Sequence, residues 1–159
     1  MSRRRRIVRG TVLVTVLAAL IPMGEASGGG PVTIGPVGMF GGQEVPGPGD
    51  PNGGGDATVE LDAANGNVCF ELLWNRIGRP MAAHIHRGQA GEAGPVRVTL
   101  FSSRRALPAT INHVHGCVEG VDSELIQRII DNPGRYYVNV HNRRYPDGAI
   151  RGELAGGPS

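Results

Sequence analysis

The sequence of 159 residues contains no lysine, and all 16 of its Lys or Arg positions are arginine. Aromatic residues make up only 4% of the chain, so a folded core has to be built mainly from Val, Ile, Leu and Ala. The chain also lacks Gly-x-Ser-x-Gly, a phosphate-binding loop and a dinucleotide-binding fingerprint. These absences remove the common sequence signatures of serine hydrolases, nucleotide-binding enzymes and nicotinamide-dependent oxidoreductases.

The N-terminal segment is typical of an export signal. Residues 3–6 are four arginines, residues 7–21 are mostly apolar, and Gly24-Glu25-Ala26 supplies small residues for cleavage. The apolar run is short for a hydrocarbon core of ~30 Å, which favours a cleaved signal peptide of residues 1–26 over an uncleaved anchor. Because the arginines are also similar to a twin-arginine signal, both the Sec and the Tat routes stay open. We predict a secreted or cell-envelope protein with no membrane span in its mature form.

Removal of this signal changes the charge of the chain. The signal holds five of the 16 arginines and one of the 14 acidic residues, which leaves 11 basic residues against 13 acidic ones. The mature domain is therefore weakly acidic, and its net charge gives no reason to expect nucleic acid as a partner. A metal ion or an extracellular protein stays open as the partner.

Two cysteines, Cys69 and Cys117, remain after the predicted cleavage. An even number of cysteines in an exported chain is typical of a disulfide. We therefore expect one bond between them, with two free buried thiols as the alternative.

Glycine and proline are frequent between residues 28 and 55, and such a composition disfavours both helices and regular central strands. We predict a Gly-rich tether over residues 27–35, followed by a short segment at the edge of the fold that includes Met39-Phe40 and Gln43-Glu44-Val45. The last residues, 156–159, are expected to form a tail.

Beyond Asp56, apolar and polar residues alternate with the period of two that is typical of half-buried strands. Short segments of this kind recur up to residue 154. A single helix is predicted over residues 122–132, with Asp122 as its N-cap and Pro133-Gly134 as its stop. The fold class is therefore all-β, an antiparallel immunoglobulin-like or superoxide dismutase-like sandwich or barrel with one short helix.

Histidine supplies the most specific chemical signal. The chain has five histidines: the two His-x-His pairs His84/His86 and His113/His115, and the single His141. Residues i and i+2 of a strand lie on one face roughly 6.5 Å apart, so the two rings of such a pair can bind one metal ion.

Alternation assigns the faces of the strands that carry these histidines. Core-facing Ala83 and Ile85 place His84 and His86 on the outer face, and core-facing Val138 and Val140 do the same for His141. If the strands are neighbours, three imidazoles meet there, a donor set that suits copper or zinc, with copper favoured by the Irving–Williams order. The alternative is that these histidines are structural and bind no metal. His113 and His115 share a face with Cys117, and we do not expect them to be ligands.

Several motifs, as an ordered set, resemble the CHRD domain. They are Gly42-Gln43-Glu44-Val45-Pro46, Ala83-His84-Ile85-His86-Arg87-Gly88, Gly94-Pro95-Val96, Tyr137-Val138-Asn139-Val140-His141 and Gly148-Ala149-Ile150-Arg151-Gly152-Glu153-Leu154. The resemblance covers about residues 36–155. This domain is named for chordin, an extracellular antagonist of bone morphogenetic proteins, and is widespread in bacterial exported proteins. The resemblance implies an immunoglobulin-like β fold and implies little about activity.

A weaker similarity links the chain to copper–zinc superoxide dismutases. His84-Ile85-His86 before a Gly-rich loop, with another histidine on a late strand, resembles their copper-ligand pattern. The similarity implies that His84, His86 and His141 are copper ligands. The chain departs from that pattern in lacking an aligned zinc-site Asp, a clear bridging histidine and the dismutase disulfide spacing.

The sequence therefore predicts an exported CHRD-type binding module that binds copper through His84, His86 and His141. No acid–base pair or activated nucleophile accompanies the histidines, so no catalytic residue is assigned. Two alternatives remain: a copper-dependent, superoxide dismutase-like redox enzyme, and a metal-free structural or adhesive extracellular module.

Overall fold

The computed structural model describes residues 29–155. The predicted signal peptide of residues 1–26, the start of the predicted tether and the tail of residues 156–159 lie outside this range. Within it, no helix is both long and apolar enough to span a membrane.

Eight antiparallel strands form one sheet, and a single α-helix accompanies them in the described range. The elements are β1 (Val32–Phe40), β2 (Gly54–Asp62), β3 (Asn67–Asn75), β4 (Pro80–Arg87), β5 (Val96–Ser102), β6 (His113–Val118), α1 (Ser123–Asp131), β7 (Tyr136–Asn142) and β8 (Ile150–Glu153). The strand order is β5-β4-β7-β8-β1-β2-β3-β6. Because the edge strands β5 and β6 come into contact, the sheet is a nearly closed barrel. This architecture confirms the predicted antiparallel all-β class with one short helix.

The period-two pattern of the sequence builds the core of the barrel. In β2, Ala57, Val59 and Leu61 are fully buried, whereas Glu60 between the last two is exposed. Successive side chains of a strand point to opposite faces, so each strand contributes every second residue to the interior. Helix α1 adds Ile126 and Ile129 to the same core.

Helix α1 begins where the sequence predicted. The Asp122 side chain accepts hydrogen bonds from the backbone N–H groups of Glu124 and Leu125, which have no partner within the helix. A short 3-10 turn at Pro133–Arg135 follows the helix and leads into β7.

The position of β1 differs from the expectation. It lies between β8 and β2, so the prediction of a short segment at the edge of the fold was wrong. The strand begins at Val32, within the stretch predicted as a tether. Gly35 and Pro36 are accommodated because the register with β2 shifts between Ile34 and Val37, and an irregular step of this kind tolerates a residue without an N–H group.

The disulfide between Cys69 and Cys117 is present, as predicted. The two residues lie directly opposite each other on β3 and β6. Since β6 is an edge strand with only one hydrogen-bonded neighbour, the bond fastens that edge to the rest of the sheet.

Replacing both Cys69 and Cys117 with alanine should lower the free energy of unfolding by about 2 to 5 kcal/mol, because the bond joins residues 48 positions apart. Urea unfolding followed by the fluorescence of the buried Trp74 measures the change. Alkylation of the native protein without reductant should label no thiol. An unchanged unfolding midpoint in the double variant would contradict this role for the bond.

Candidate metal centre

Strands β4, β7 and β8 turn a row of polar side chains away from the core. Cross-strand register aligns His86 with Tyr137 and Glu153, and His84 with Asn139 and Arg151. The residues between them, Ala83, Ile85, Val138 and Val140, are fully buried in the core. The alternation in the sequence therefore predicted the faces of β4 and β7 correctly.

This outer face is not an open surface. Tyr137, Asn139 and Arg151 are at most 2% exposed although they point away from the barrel interior. The predicted surface cluster lies on this face but is partly covered: His86 is buried and His84 and His141 are partly buried, because loops fold back over the face. We call the layer between sheet and loops the polar layer; its described members are Glu44, His84, His86, Tyr137, Asn139, His141, Arg151 and Glu153.

The loop of residues 88–95, between β4 and β5, provides much of this cover. The guanidinium of Arg151 donates hydrogen bonds of 2.8 Å each to the backbone carbonyls of Gln89 and Glu92. The backbone N–H of Gly94 donates to the hydroxyl of Tyr137. A Cβ atom at Gly94 would lie only 1.5 Å from the carbonyl oxygen of Arg87, so the approach of this loop to β4 requires glycine.

The structure brings His84, His86 and His141 together. One ring nitrogen from each lies within 4.8 Å of the other two, and Nδ1 of His84 is 3.0 Å from Nε2 of His141. Two metal bonds of 2.0–2.1 Å that span this distance enclose an angle of about 95°. Two nitrogen atoms bound to one ion can be at most about 4.2 Å apart, which is twice the length of a metal–nitrogen bond. The two ring nitrogens that are farthest apart, at up to 4.8 Å, therefore have to approach each other by less than about 1 Å. These three residues could hold a metal ion.

Backbone carbonyls orient two of the three rings. Nδ1 of His86 lies 2.8 Å from the carbonyl oxygen of Gly94, and Nδ1 of His141 lies 2.9 Å from that of Pro146. A carbonyl oxygen can only accept, so each Nδ1 carries the proton and each Nε2 presents a lone pair. This is the usual arrangement around metal-binding histidines, in which the nitrogen that does not bind the metal donates to a carbonyl or carboxylate.

The two lone pairs have few hydrogen-bond partners in the described residues. Nε2 of His86 is buried and makes no hydrogen bond of normal geometry, although the Asn139 side chain is near enough to raise the pKa of His86 slightly against the effect of burial. Nε2 of His141 faces Nδ1 of His84 and, at 2.9 Å, Oδ1 of Asn139, which also carries lone pairs. A proton on Nδ1 of His84 can satisfy His141, but it leaves His86 without a partner. A cation among the three rings satisfies all of them.

Burial keeps the three rings in the neutral form that binds metals. It lowers the pKa of His84 to about 4, helped by repulsion from His141 and His86. Burial also lowers the pKa of His86 and that of His141, and the hydrogen bonds to Gly94 and Pro146 offset this only in part. No ring has to lose a proton near neutral pH before it can act as a ligand.

A stack of three side chains fixes the plane of His86. The ring of Tyr137 stacks on that of His86, with centroids 4.8 Å apart and planes 12° from parallel. On the same tyrosine the guanidinium carbon of Arg151 lies 3.4 Å from the ring centroid, a cation–π contact. Arg151 also forms an ion pair of 2.8 Å with Glu153. Sequence analysis assigned no role to Tyr137, Arg151 or Glu153, although period-two alternation along β7 places Tyr137 on the same face of the sheet as His141.

Glu44 lies at the margin of the polar layer and is another residue that sequence analysis did not assign. Its buried carboxylate packs against Gly148. A Cβ atom added to Gly148 would lie only 2.2 Å from Oε1 of Glu44, so this contact requires glycine. Burial raises the pKa of Glu44 to about 8, and attraction to Arg151 offsets this only in part. The carboxyl group is therefore mostly protonated at neutral pH.

His113 and His115 lie on β6, and both are exposed. Nε2 of His113 is 2.9 Å from a carboxylate oxygen of Glu71, and the two imidazole rings are 5.6 Å apart. The structure does not bring them to the other three histidines: among the described residues, the group close enough to hold one metal ion consists of His84, His86 and His141.

The fold and the site define an antiparallel β-barrel domain whose outer polar layer contains a three-histidine cluster. The family model of the CHRD domain matches residues 36–154, and the chain belongs to this family. Neither a curated protein nor a solved structure matches the chain. The family suggests an extracellular binding module, and the disulfide is consistent with export.

The raised pKa of Glu44 predicts a pH dependence of stability. The folded state holds this proton between about pH 4.5 and about pH 8, where the unfolded chain has lost it, so the contribution of Glu44 to the free energy of unfolding should fall as pH rises through that window. The three histidines, whose pKa values are lowered, act in the opposite sense, so the effect is read from the difference between wild type and Glu44→Gln. Three charged groups face Glu44, namely Arg151, Asp147 and Glu153. Glu44→Gln cannot ionise and should lose less stability than wild type between those limits.

Urea unfolding at several pH values across this window measures the difference. Glu60→Gln, a substitution at an exposed position of β2, is the matched control and should follow wild type. Parallel pH profiles for wild type and Glu44→Gln would show that this carboxyl group is not the cause.

Proposed function

We propose that this protein is an exported CHRD-type binding module that binds one copper ion through His84, His86 and His141. The proposal combines the family, the disulfide and the distances among the three rings. The observation that carries it is Nε2 of His86, a buried nitrogen without a hydrogen-bond partner. A buried polar group without a partner destabilises a fold by about 1–3 kcal/mol, and a bound cation would supply the missing partner.

Copper is preferred over other ions because of the donor set. Three neutral imidazole nitrogens suit copper and zinc, and the Irving–Williams order places copper above zinc for a given site. Three protein ligands leave at least one coordination position of the ion unfilled.

Titration of copper into the purified protein should show one site per chain. His86→Ala and His141→Ala should each weaken binding by more than about 100-fold, since losing a ligand exceeds the 10–100-fold effect of losing a residue that only orients one. His115→Ala, which removes an exposed histidine of β6, is the matched control and should bind copper as wild type does.

Equal affinity in all four proteins would contradict the site and indicate loose coordination at the surface. Absence of binding in wild type would favour the metal-free structural or adhesive module. A superoxide assay on the copper-loaded protein separates a binding module from a superoxide dismutase-like enzyme.

The Gly94 carbonyl gives a second test that leaves all three histidines in place. Gly94→Ala should lower copper affinity by about 10–100-fold, because the added Cβ atom would collide with Arg87 and displace the carbonyl that orients His86. Gly42→Ala, where the added atom meets nothing within 4 Å, is the control. Unchanged affinity in Gly94→Ala would show that this contact does not orient the ligand.

A further inference from the structure

Arginine is concentrated in three loops of the barrel. Six of the 11 arginines beyond the predicted signal peptide lie in the β3–β4, β5–β6 and β7–β8 connections: Arg76, Arg79, Arg104, Arg105, Arg143 and Arg144. All six are exposed. We call this set the arginine patch. It occurs in a domain whose net charge is weakly acidic, so the charge is segregated on the surface.

The three loops meet around two clefts. One, of about 460 Å³, is lined by Arg76, Arg79, Arg143 and Arg144 together with Asp50 and Asn142. The other, of about 490 Å³, is lined by Arg79, Arg104, Arg105 and Arg143. Since Arg79 and Arg143 line both clefts, the two clefts adjoin each other.

Hydrogen bonds hold these loops together. The guanidinium of Arg79, in the β3–β4 connection, donates to the carbonyl oxygens of Ala106 and Leu107 in the β5–β6 connection. The buried side chain of Asn142 donates to the carbonyl of Ile77 and accepts from the backbone N–H of Arg144. The loops that carry the charges are therefore fixed relative to one another before any ligand binds, which reduces the entropy lost on binding.

The patch is poorly neutralised by the protein itself. The ion pairs between side chains of residues 29–155 are His113–Glu71, Arg128–Glu124 and Arg151–Glu153, and none involves the patch. Asp50 is the one acidic residue that lines the clefts. In addition, Arg76 has a φ of 58°, a conformation that non-glycine residues rarely adopt. Six like charges on adjoining loops repel one another, and an anionic ligand removes that repulsion.

We propose that the arginine patch binds an acidic polysaccharide through the carboxylate groups of its sugar units. The planar guanidinium group matches a carboxylate with two parallel hydrogen bonds, and a chain of carboxylates can engage several arginines along both clefts. No aromatic side chain lines either cleft, whereas single-stranded nucleic acid is usually held by aromatic stacking. The concave shape suits a narrow polymer better than a flat membrane surface. The proposal does not depend on the copper site.

The test uses the mature chain and a fluorescent oligogalacturonate as the probe. Arg104→Gln, Arg105→Gln, Arg143→Gln and Arg144→Gln are combined in one variant, which should lose about tenfold or more in affinity. Wild-type binding should also weaken as salt concentration rises. The matched control combines Arg87→Gln, Arg97→Gln, Arg128→Gln and Arg135→Gln and should bind as wild type does. It removes four exposed arginines outside the patch, of which Arg87, Arg97 and Arg135 line a separate cleft that also contains Glu92.

Trp74 fluorescence and the urea unfolding midpoint show whether each variant is folded, and Arg104→Gln with Arg105→Gln is the milder substitute if the fourfold variant is not. An equal loss in patch and control variants would overturn the proposal, because net charge alone would then explain binding. Binding of a DNA oligonucleotide or of phosphatidylglycerol vesicles without binding of oligogalacturonate would overturn it too. Failure of wild type to bind the probe has the same consequence.

Discussion

The arrangement of the site depends on one buried cation, Arg151. Its guanidinium is fully buried on the outer side of the sheet and is satisfied by Glu153, by the carbonyls of Gln89 and Glu92, and by the face of Tyr137. A buried charge is tolerated only when it is paired and hydrogen-bonded. The hydrogen bonds from Arg151 to Gln89 and Glu92 hold the loop of residues 88–95 against the outer face of the sheet. The same loop supplies the Gly94 carbonyl that orients His86.

The same enclosure explains the chemistry of the polar layer. The polar side chains of this layer are partly shielded from water by the loops. This burial lowers the pKa values of the three histidines and raises that of Glu44. Both shifts favour neutral forms. The layer therefore combines a permanent cation, which the loop carbonyls and Glu153 satisfy, with uncharged imidazoles that are ready to bind a metal ion.

Charge is distributed differently on the rest of the surface. The metal centre lies in a layer that excludes most water, whereas the arginine patch lies on exposed loops whose charges keep their hydration. Asn142 connects the two regions, since it ends the strand that carries His141 and its side chain holds the loop that carries Arg144. The barrel thus carries two chemically different regions on one scaffold, a cluster of neutral imidazoles and a set of exposed arginines.

The sequence by itself determined the strands from β2 onwards, the helix and its cap, the disulfide and the faces of His84, His86 and His141. Each of these follows from alternation along a single strand, from local capping or from a residue count. Tertiary structure alone decided that β4 and β7 are neighbours, that β1 is a central strand and that the histidines lie beneath a loop. The burial of Arg151 and the meeting of six arginines around two clefts were also decided there. The physical reason is that these features depend on the order of strands in the sheet and on contacts between loops far apart in the chain. Periodicity along one strand fixes the face of a residue, but it contains no information about which strand or loop will cover that face.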